Sequence, residues 1–245
     1  MNAPLLKLEG VNTHIGPYHI LHGVDLQVPR GQLTMLLGRN GAGKSTTLRT
    51  IMGLWPASKG KITFDGQDIT KTATPDISQS GIAYVPENMG IFSDLTVREN
   101  MILAARHART VEEMDQKRLE WVFSLFPAMK KFWEHPAGKL SGGQKQMLAV
   151  SRAIVEPRKL LLIDEPSKGL APAIIANMIS AFRELKQTDT TILLVEQNFN
   201  FAKQLGDTVA VMDNGKIVHR GLMAELAEDE ALQTQLLGLS LNAHQ

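Results

Sequence analysis

The sequence predicts an α/β fold: a parallel-sheet core, an antiparallel β part ahead of it, and a helical insertion in the middle. Three observations predict it. Gly38-Arg39-Asn40-Gly41-Ala42-Gly43-Lys44-Ser45 fits the phosphate-loop pattern G-x-x-x-x-G-K-[ST], between an apolar run and a helical stretch. Between Thr96 and Trp133 the apolar residues fall at helical spacing. From Leu160 to Met212 short apolar runs alternate with amphipathic stretches, the pattern of parallel strands joined by crossover helices.

Each element follows from local pattern. Residues 6–11 and 24–28 alternate apolar and polar side chains, as half-buried strands do, and Pro29-Arg30-Gly31 turns the chain onward. Leu33-Thr34-Met35-Leu36-Leu37 reads as a buried strand leading into the glycine-rich loop, and residues 46–52 as the helix leading out. Residues 60–66 read as a short strand ending in the Asp65-Gly66 turn, and residues 82–85 as a strand stopped by Pro86. In the insertion, Leu119, Val122, Phe123 and Phe126 share one helical face, the pattern of a core stripe rather than a cofactor box, while Lys130 and Lys131 mark a solvated edge. Residues 160–163, 191–195 and 208–212 read as strands, with residues 173–186 and 200–205 as the helices between them. Asn214-Gly215 between two apolar runs signals a hairpin, and the tail beyond Gly221 reads as helical.

Composition narrows the class. A chain of 245 residues can bury a proper core, and 26 Lys+Arg against 25 Asp+Glu leave a net charge of +1, with no global basic footprint for nucleic acid. There is no cysteine, which removes disulfides and thiolate metal sites and suits a reducing compartment. Residues 1–7 lack the basic start and apolar stretch of a signal peptide, and no apolar run reaches the ~18 residues of a membrane span. Any membrane role is therefore expected to come through partner chains. His14, His19 and His22 lie close in sequence and His107, His135, His219 and His244 are scattered, with no spacing that suggests a metal other than Mg²⁺.

The chemistry resides in three stretches. In the first, glycines let successive backbone N–H groups turn inward around phosphates, and the next helix, from Thr46 on, points its positive end at them. Lys44 adds an ammonium for the β- and γ-phosphates and Ser45 a hydroxyl for Mg²⁺. In the second, the apolar run 160–163 ends in Asp164 and Glu165, at the carboxyl edge where open α/β sheets bind ligands. Asp164 can hold Mg²⁺ through water or Ser45, and Glu165 can orient or deprotonate the water that attacks the γ-phosphate. In the third, Ser141-Gly142-Gly143-Gln144 opens a helix running through Met147, Leu148, Val150, Ala153 and Ile154. Ser141 can act there as N-cap or as phosphate ligand, and the glycines expose N–H groups.

Together the three stretches resemble the phosphate loop, signature sequence and catalytic carboxylates of ATP-binding cassette proteins, over nearly the whole chain. The resemblance implies a P-loop NTPase fold with a RecA-like parallel core, in a single domain of residues 1–245. Residues 1–90 and 155–245 would form the nucleotide-binding core with its antiparallel β part, and residues 91–154 a helical signature subdomain. It further implies ATP and Mg²⁺ as cofactors and a head-to-tail pair of cassettes. Ser141, Gly142, Gly143 and Gln144 would then complete the site of a partner, and closure and opening of the pair would drive membrane subunits.

Four further positions match elements of that family, with departures. Glu87, after Tyr84-Val85-Pro86, stands where Gln usually faces the metal and attacking water. Gln197 takes the place of the switch His; it can hydrogen-bond a γ-phosphate but cannot become cationic. Pro166-Ser167-Lys168-Gly169-Leu170-Ala171-Pro172 replaces the common Ser-Ala-Leu-Asp loop. Ile15 occupies the place where an aromatic stacks on adenine, forgoing about 1 kcal/mol, with Tyr18 in the same loop able to compensate.

Pro-Glu at 86–87, Gly-Leu-Ala-Pro at 169–172 and Val-Glu-Gln-Asn at 195–198 are similar to the smaller ATP-binding subunit of branched-chain (hydrophobic) amino acid importers. The importers of urea and short-chain amides in the same group look alike at these positions. Asn88-Met89-Gly90 and Lys168 depart from that group, the first from basic residues and the second from an apolar one. The resemblance implies an energy-coupling ATPase, peripheral on the cytoplasmic face of the inner membrane. Its partners would be two permeases, a second cassette that is a paralogue or a second copy, and indirectly an extracytoplasmic solute-binding protein. A soluble cassette acting on ribosomes or DNA is the contrasting reading. Those proteins usually carry two cassettes or long insertions, which this chain lacks. A non-hydrolysing regulatory cassette is disfavoured by Glu165 and Ser141.

Overall fold

A computed structural model describes residues 3–238. The alternating N-terminal stretches pair as a long hairpin, β1 (Leu6–Ile15) antiparallel to β2 (Tyr18–Val28), with Ile15 opposite Tyr18. The second strand thus starts six residues before the predicted 24–28, because Gly23 at φ 72° and the irregular register between Leu8 and His14 let the pairing continue past the break in alternation. β3 (Leu33–Leu37) follows, then α1 (Lys44–Ile51), β4 (Ala57–Phe64) and β5 (Gln67–Asp68). Strands β2-β1-β4-β5, in that order, make a four-stranded antiparallel sheet.

The rest of the chain builds the second sheet and its helices. In order these are α2 (Thr74–Gln79), β6 (Ile82–Val85), α3 (Val97–Ala104), α4 (Gln116–Leu125), α5 (Pro127–Lys131), α6 (Gly142–Ile154), β7 (Leu160–Asp164) and α7 (Pro172–Leu185). Then come β8 (Thr191–Glu196), α8 (Phe199–Ala202), β9 (Thr208–Asp213), β10 (Lys216–Leu222), α9 (Met223–Glu228) and α10 (Glu230–Leu237). The six-stranded sheet has the order β10-β9-β3-β8-β7-β6, parallel throughout except for β10, which closes one edge as the hairpin partner of β9. The Asn214-Gly215 turn of that hairpin must end in glycine. Gly215 has φ 75°, and a Cβ on it would lie 2.1 Å from the carbonyl oxygen of Ile20.

Both faces of the parallel sheet are covered, which is why its strands are continuous apolar runs. Leu36, Leu162, Leu193, Val195 and Ala210 point toward α1 and the antiparallel sheet. Met35, Leu37, Leu161, Ile163, Leu194 and Val211 point the other way, into a core shared with α3, α4, α6 and α7. The register then fixes the site: Leu37 pairs with Glu196 and Val211, and Asp164 with Val195. The loops that leave the carboxyl ends of β3, β6, β7 and β8 therefore emerge along one edge.

The helical stretch predicted from Thr96 to Trp133 is interrupted. A capping box between Thr96 and Glu99 starts α3, which stops at Ala104; the chain is irregular until the Asp115 carboxylate accepts from the Arg118 N–H and starts α4. The predicted stripe Leu119, Val122, Phe123 and Phe126 is buried as expected. The helix after the phosphate loop begins at Lys44, two residues earlier than predicted, because the left-handed Gly43 serves as its cap. Beyond β10 the tail is helical in α9 and α10; residues 239–245, with His244, lie outside the described residues. Among the described residues no helix is long and apolar enough to cross a membrane.

Candidate active site

The predicted phosphate loop lies between the end of β3 and the first turn of α1, and its glycines carry the turn. Gly38, Gly41 and Gly43 have φ of 154°, 79° and 104°, and a Cβ on Gly38 would stand 2.3 Å from the Met212 carbonyl oxygen. The N-terminus of α1 has no side-chain cap and no acidic residue in its first turn, so its N–H groups and dipole are open to an anion. Arg39, Asn40 and Gly41 are exposed, Ala42 is buried, and Ser45 and Thr46 are half-buried at the helix start.

Lys44 is only 4% exposed, and its ammonium lies folded across the loop. Nζ donates to the carbonyl oxygens of Gly38 at 2.9 Å and Arg39 at 3.1 Å, and stands 3.6 Å from Glu165 Oε1. A buried cation held by two carbonyls and one carboxylate is a ready partner for phosphate oxygens, which offer more charge than the carbonyls do.

Asp164, fully buried at the end of β7, accepts from Ser45 Oγ at 3.0 Å through Oδ1, while Oδ2 has no hydrogen-bond partner. Burial raises its pKa from 3.8 to about 6; the Ser45 hydrogen bond opposes this, and the charges of Glu165 and Glu87 reinforce it. The hydroxyl of Tyr84, on the adjacent strand β6, is likewise buried without a partner, and burial together with the Asp164 charge raises its pKa. A hard-oxygen donor set of hydroxyl and orphaned carboxylate oxygen fits Mg²⁺, which uses one or two carboxylates plus phosphate oxygens and water. Among the described residues, no group of three or more His, Cys, Asp or Glu is placed to hold a metal by itself.

Glu165 is 7% exposed and has φ 48°, a left-handed conformation that costs a non-glycine residue ~1–2 kcal/mol. Its N–H donates to the Val195 carbonyl at 2.9 Å, which locks it to β8. Gln197, one residue past the end of β8, donates through the two hydrogens of Nε2 to Glu165 Oε1 and Asn40 Oδ1, each at 2.6 Å. The predicted residues thus form two adjacent polar sets, Lys44–Glu165–Gln197–Asn40 and Ser45–Asp164, side by side at the ends of β7 and β8.

Among the described residues, the other predicted ones outside the phosphate loop make no direct hydrogen bond or ion pair with these groups. Glu87 does not touch Ser45; it pairs with Lys168 Nζ at 2.5 Å. Ser141 Oγ accepts from the Gln144 N–H and Gln144 Oε1 from the Ser141 N–H, a capping box at the start of α6. Gly143 packs so closely on α7 that a Cβ would lie 2.8 Å from Ile174, whereas Ser141 and Gly142 are exposed. Among the described residues, no hydrogen bond or ion pair joins residues 141–144 to the phosphate loop. Ile15 is half-buried at the tip of the first hairpin, and Tyr18 opposite it is 70% exposed. The His14 and His19 rings stack with centroids 4.2 Å apart, and the His22 ring lies tilted to His19 at 3.9 Å.

One residue of the site escaped the sequence reading. Glu196, 2% exposed, accepts backbone N–H groups from Ser167 at 2.9 Å, Gln197 at 3.1 Å and Asn198 at 3.2 Å, so one buried carboxylate sets both the loop after β7 and the loop after β8. Burial raises its pKa against those hydrogen bonds. The signal that could have found it is a charge closing an otherwise apolar strand, as at Asp164.

The chain has counterparts among known proteins. The family model described as ABC transporter matches residues 21–168. The high-affinity branched-chain amino acid transport ATP-binding protein BraG of Pseudomonas aeruginosa is 39% identical over 96% of this chain and 100% of its own length. The probable branched-chain amino acid transport ATP-binding protein LivF of Archaeoglobus fulgidus is 33% identical over 96% of this chain and 99% of its own. Among solved structures, an ATP-binding subunit of an ABC transporter has TM-score 0.79 and 29% identity, covering 97% of this chain and 96% of that one. A dimeric cassette in a post-hydrolysis state, bound to ADP and phosphate, shares the fold at TM-score 0.79 and 23% identity, covering 89% and 98% of the two chains. With a phosphate loop whose Lys44 and Ser45 contact Glu165 and Asp164 at the carboxyl edge of the sheet, this chain belongs to the ABC transporter family, as an ATP-binding cassette with ATPase chemistry.

Proposed function

We propose that the chain is the ATP-hydrolysing subunit of a membrane importer for branched-chain or related hydrophobic amino acids. The observation that carries the ATPase reading is the pair of contacts Lys44–Glu165, with Gln197 on the same carboxylate, and Ser45–Asp164, around an uncapped helix N-terminus. The solute class is supported by the names of BraG and LivF, which this chain matches over almost its full length.

In this reading ATP places its phosphates on the N–H groups of residues 38–46 and draws Lys44 from the Gly38 and Arg39 carbonyls. That movement also frees Glu165 Oε1 from its nearest cation. Ser45 and Asp164 are the residues that would hold Mg²⁺, which supplies charge neutralisation at the β- and γ-oxygens when bound. Glu165 accepts the proton of the attacking water, or orients it, and Gln197 braces the same carboxylate with one N–H and can turn the other from Asn40 to the γ-phosphate. Exposed Ser141 and Gly142, with Gly143 and Gln144, serve the nucleotide of a second cassette rather than their own. The hairpin tip with Ile15 and Tyr18 meets the base.

The assembly follows from the same reading. Residues 1–90 and 155–245 act as the nucleotide core and residues 91–154 as the helical subdomain, in a head-to-tail pair with a paralogue or a second copy. Two permeases hold the pair on the cytoplasmic face of the inner membrane, and an extracytoplasmic protein delivers the solute. Asn88, Met89 and Gly90 line a cleft of about 530 Å³ with Arg49, Arg152 and Arg158, which supports this side as the permease contact. The test is affinity capture of the Glu165→Gln protein from its native membranes with ATP and Mg²⁺, followed by mass spectrometry. Two permeases and a cassette are expected to stay bound. Ribosomal or DNA-associated proteins alone would overturn the transport assignment and leave the ATPase chemistry.

A further inference from the structure

Lys168 lies three residues beyond Glu165 in the loop between β7 and α7. Its N–H donates to the Glu165 carbonyl at 3.2 Å, closing a turn that brings its side chain back over the site. The ammonium lies 2.5 Å from Glu87 Oε1 and 3.6 Å from Glu165 Oε2. Glu165 therefore has different neighbours on its two oxygens, Lys44 and Gln197 at Oε1 and Lys168 at Oε2.

The electrostatics give this cation a task. Glu87, Asp164 and Glu165 crowd one edge, and the charges of the other two already disfavour ionisation of Asp164. The Lys168 ammonium stands between the Glu87 and Glu165 carboxylates and screens their mutual repulsion. It also restricts rotation of the Glu165 carboxylate, which has no other cation on its Oε2 side among the described residues. Lys168 itself is 56% exposed and its side chain makes no hydrogen bond to the phosphate loop, so it belongs neither to the core nor to the phosphate contacts.

We propose that Lys168 is a positioning residue for hydrolysis: it holds Oε2 of Glu165 so that Oε1 stays turned toward the phosphate loop when Lys44 moves to the nucleotide, and it ties that carboxylate to Glu87 at the entrance of the helical insertion. A displacement of the loop at residues 87–90 then reaches Glu165 through a single side chain. The inference rests on the reading of Glu165 as the group that acts on the attacking water.

Steady-state ATPase kinetics on the full chain test it, with Lys168→Met, Lys168→Arg, Glu87→Gln and the Glu87→Gln/Lys168→Met double variant. Lys168→Met is expected to lower kcat about fivefold, with KM for ATP within about twofold. Lys168→Arg is expected to keep more than about half of kcat, and Lys168→Met to cost less than about twofold in the Glu87→Gln background. In the nucleotide-free protein, the Lys168 ammonium is expected to give a protected ¹H–¹⁵N correlation that Glu87→Gln abolishes. An unchanged kcat in Lys168→Met, an effect confined to KM, or an arginine variant as impaired as the methionine one would overturn the proposal. Glu165→Gln is measured alongside. If it turns over at the native rate, the reading of Glu165 falls and the proposal with it. If it is inactive while Lys168→Met is unaffected, the proposal alone falls.

Discussion

Asp164→Asn exchanges function for stability, and the structure sets the size of the exchange. Burial raises the Asp164 pKa from 3.8 to about 6. Above pH 6 the folded state carries an ionised carboxylate it disfavours, at a cost of about 3 kcal/mol relative to the unfolded chain. Between pH 6 and 4 the folded state binds the proton first, so the cost disappears as pH falls. Asparagine keeps an acceptor for Ser45 but puts an NH₂ where Oδ2 has no partner, which returns about 1 kcal/mol. The nucleotide-free variant is therefore expected to be more stable than the native protein by about 2 kcal/mol at pH 8, a rise in Tm of about 4–8 °C. By pH 4.5 the gain should vanish. Thermal denaturation of both proteins across this range is the assay, with Mg²⁺-dependent ATP hydrolysis expected to be lost in the same variant. A variant no more stable than the native protein at pH 8, or a gain independent of pH, would refute the argument from burial.

Other perturbations reach separate parts of the account. Lys44→Ala is expected to weaken ATP binding by at least about tenfold, measured by titration calorimetry, since it removes the single buried cation of the loop. Glu196→Ala leaves three backbone N–H groups without their acceptor and should cost about 3 kcal/mol in urea denaturation; a loss below about 0.5 kcal/mol would show that water replaces it fully. Ile15→Tyr is expected to tighten ATP more than GTP by about fivefold, read from competition binding, because it restores a stacking ring at the hairpin tip. Phe126→Ala, at a side chain 1% exposed, should cost about 3–5 kcal/mol through the cavity it leaves, seen as a lower denaturation midpoint.

What could be read from the sequence was what spacing along the chain specifies. The phosphate loop and the Asp164-Glu165 pair are contiguous, and their roles follow from strand ends meeting a helix start. The apolar runs at 33–37, 160–163 and 191–195 are legible because a sheet covered on both faces needs them. The contacts that refine the site join distant residues. Lys168 meets Glu87 across 81 positions and Glu196 meets Ser167 across 29, and no local pattern announces either pair. The start of β2 was hidden for a different reason: His19, His22 and Gly23 interrupt the alternation, while backbone pairing with β1 carries the strand through. In the insertion, helical spacing ran on through residues 105–115, where the backbone is irregular, since periodicity reports a buried face and not the continuity of a helix.

The central claim is that Glu165 acts on water while the phosphate loop does the binding. Its most direct measurement is a single-turnover experiment on Glu165→Gln with Mg²⁺ and radiolabelled ATP, scoring binding and phosphate release separately. ATP affinity is expected to stay within about threefold of native, with release slowed at least about a hundredfold. Release at the native rate would contradict the account, and the cleavage would have to be assigned to another group.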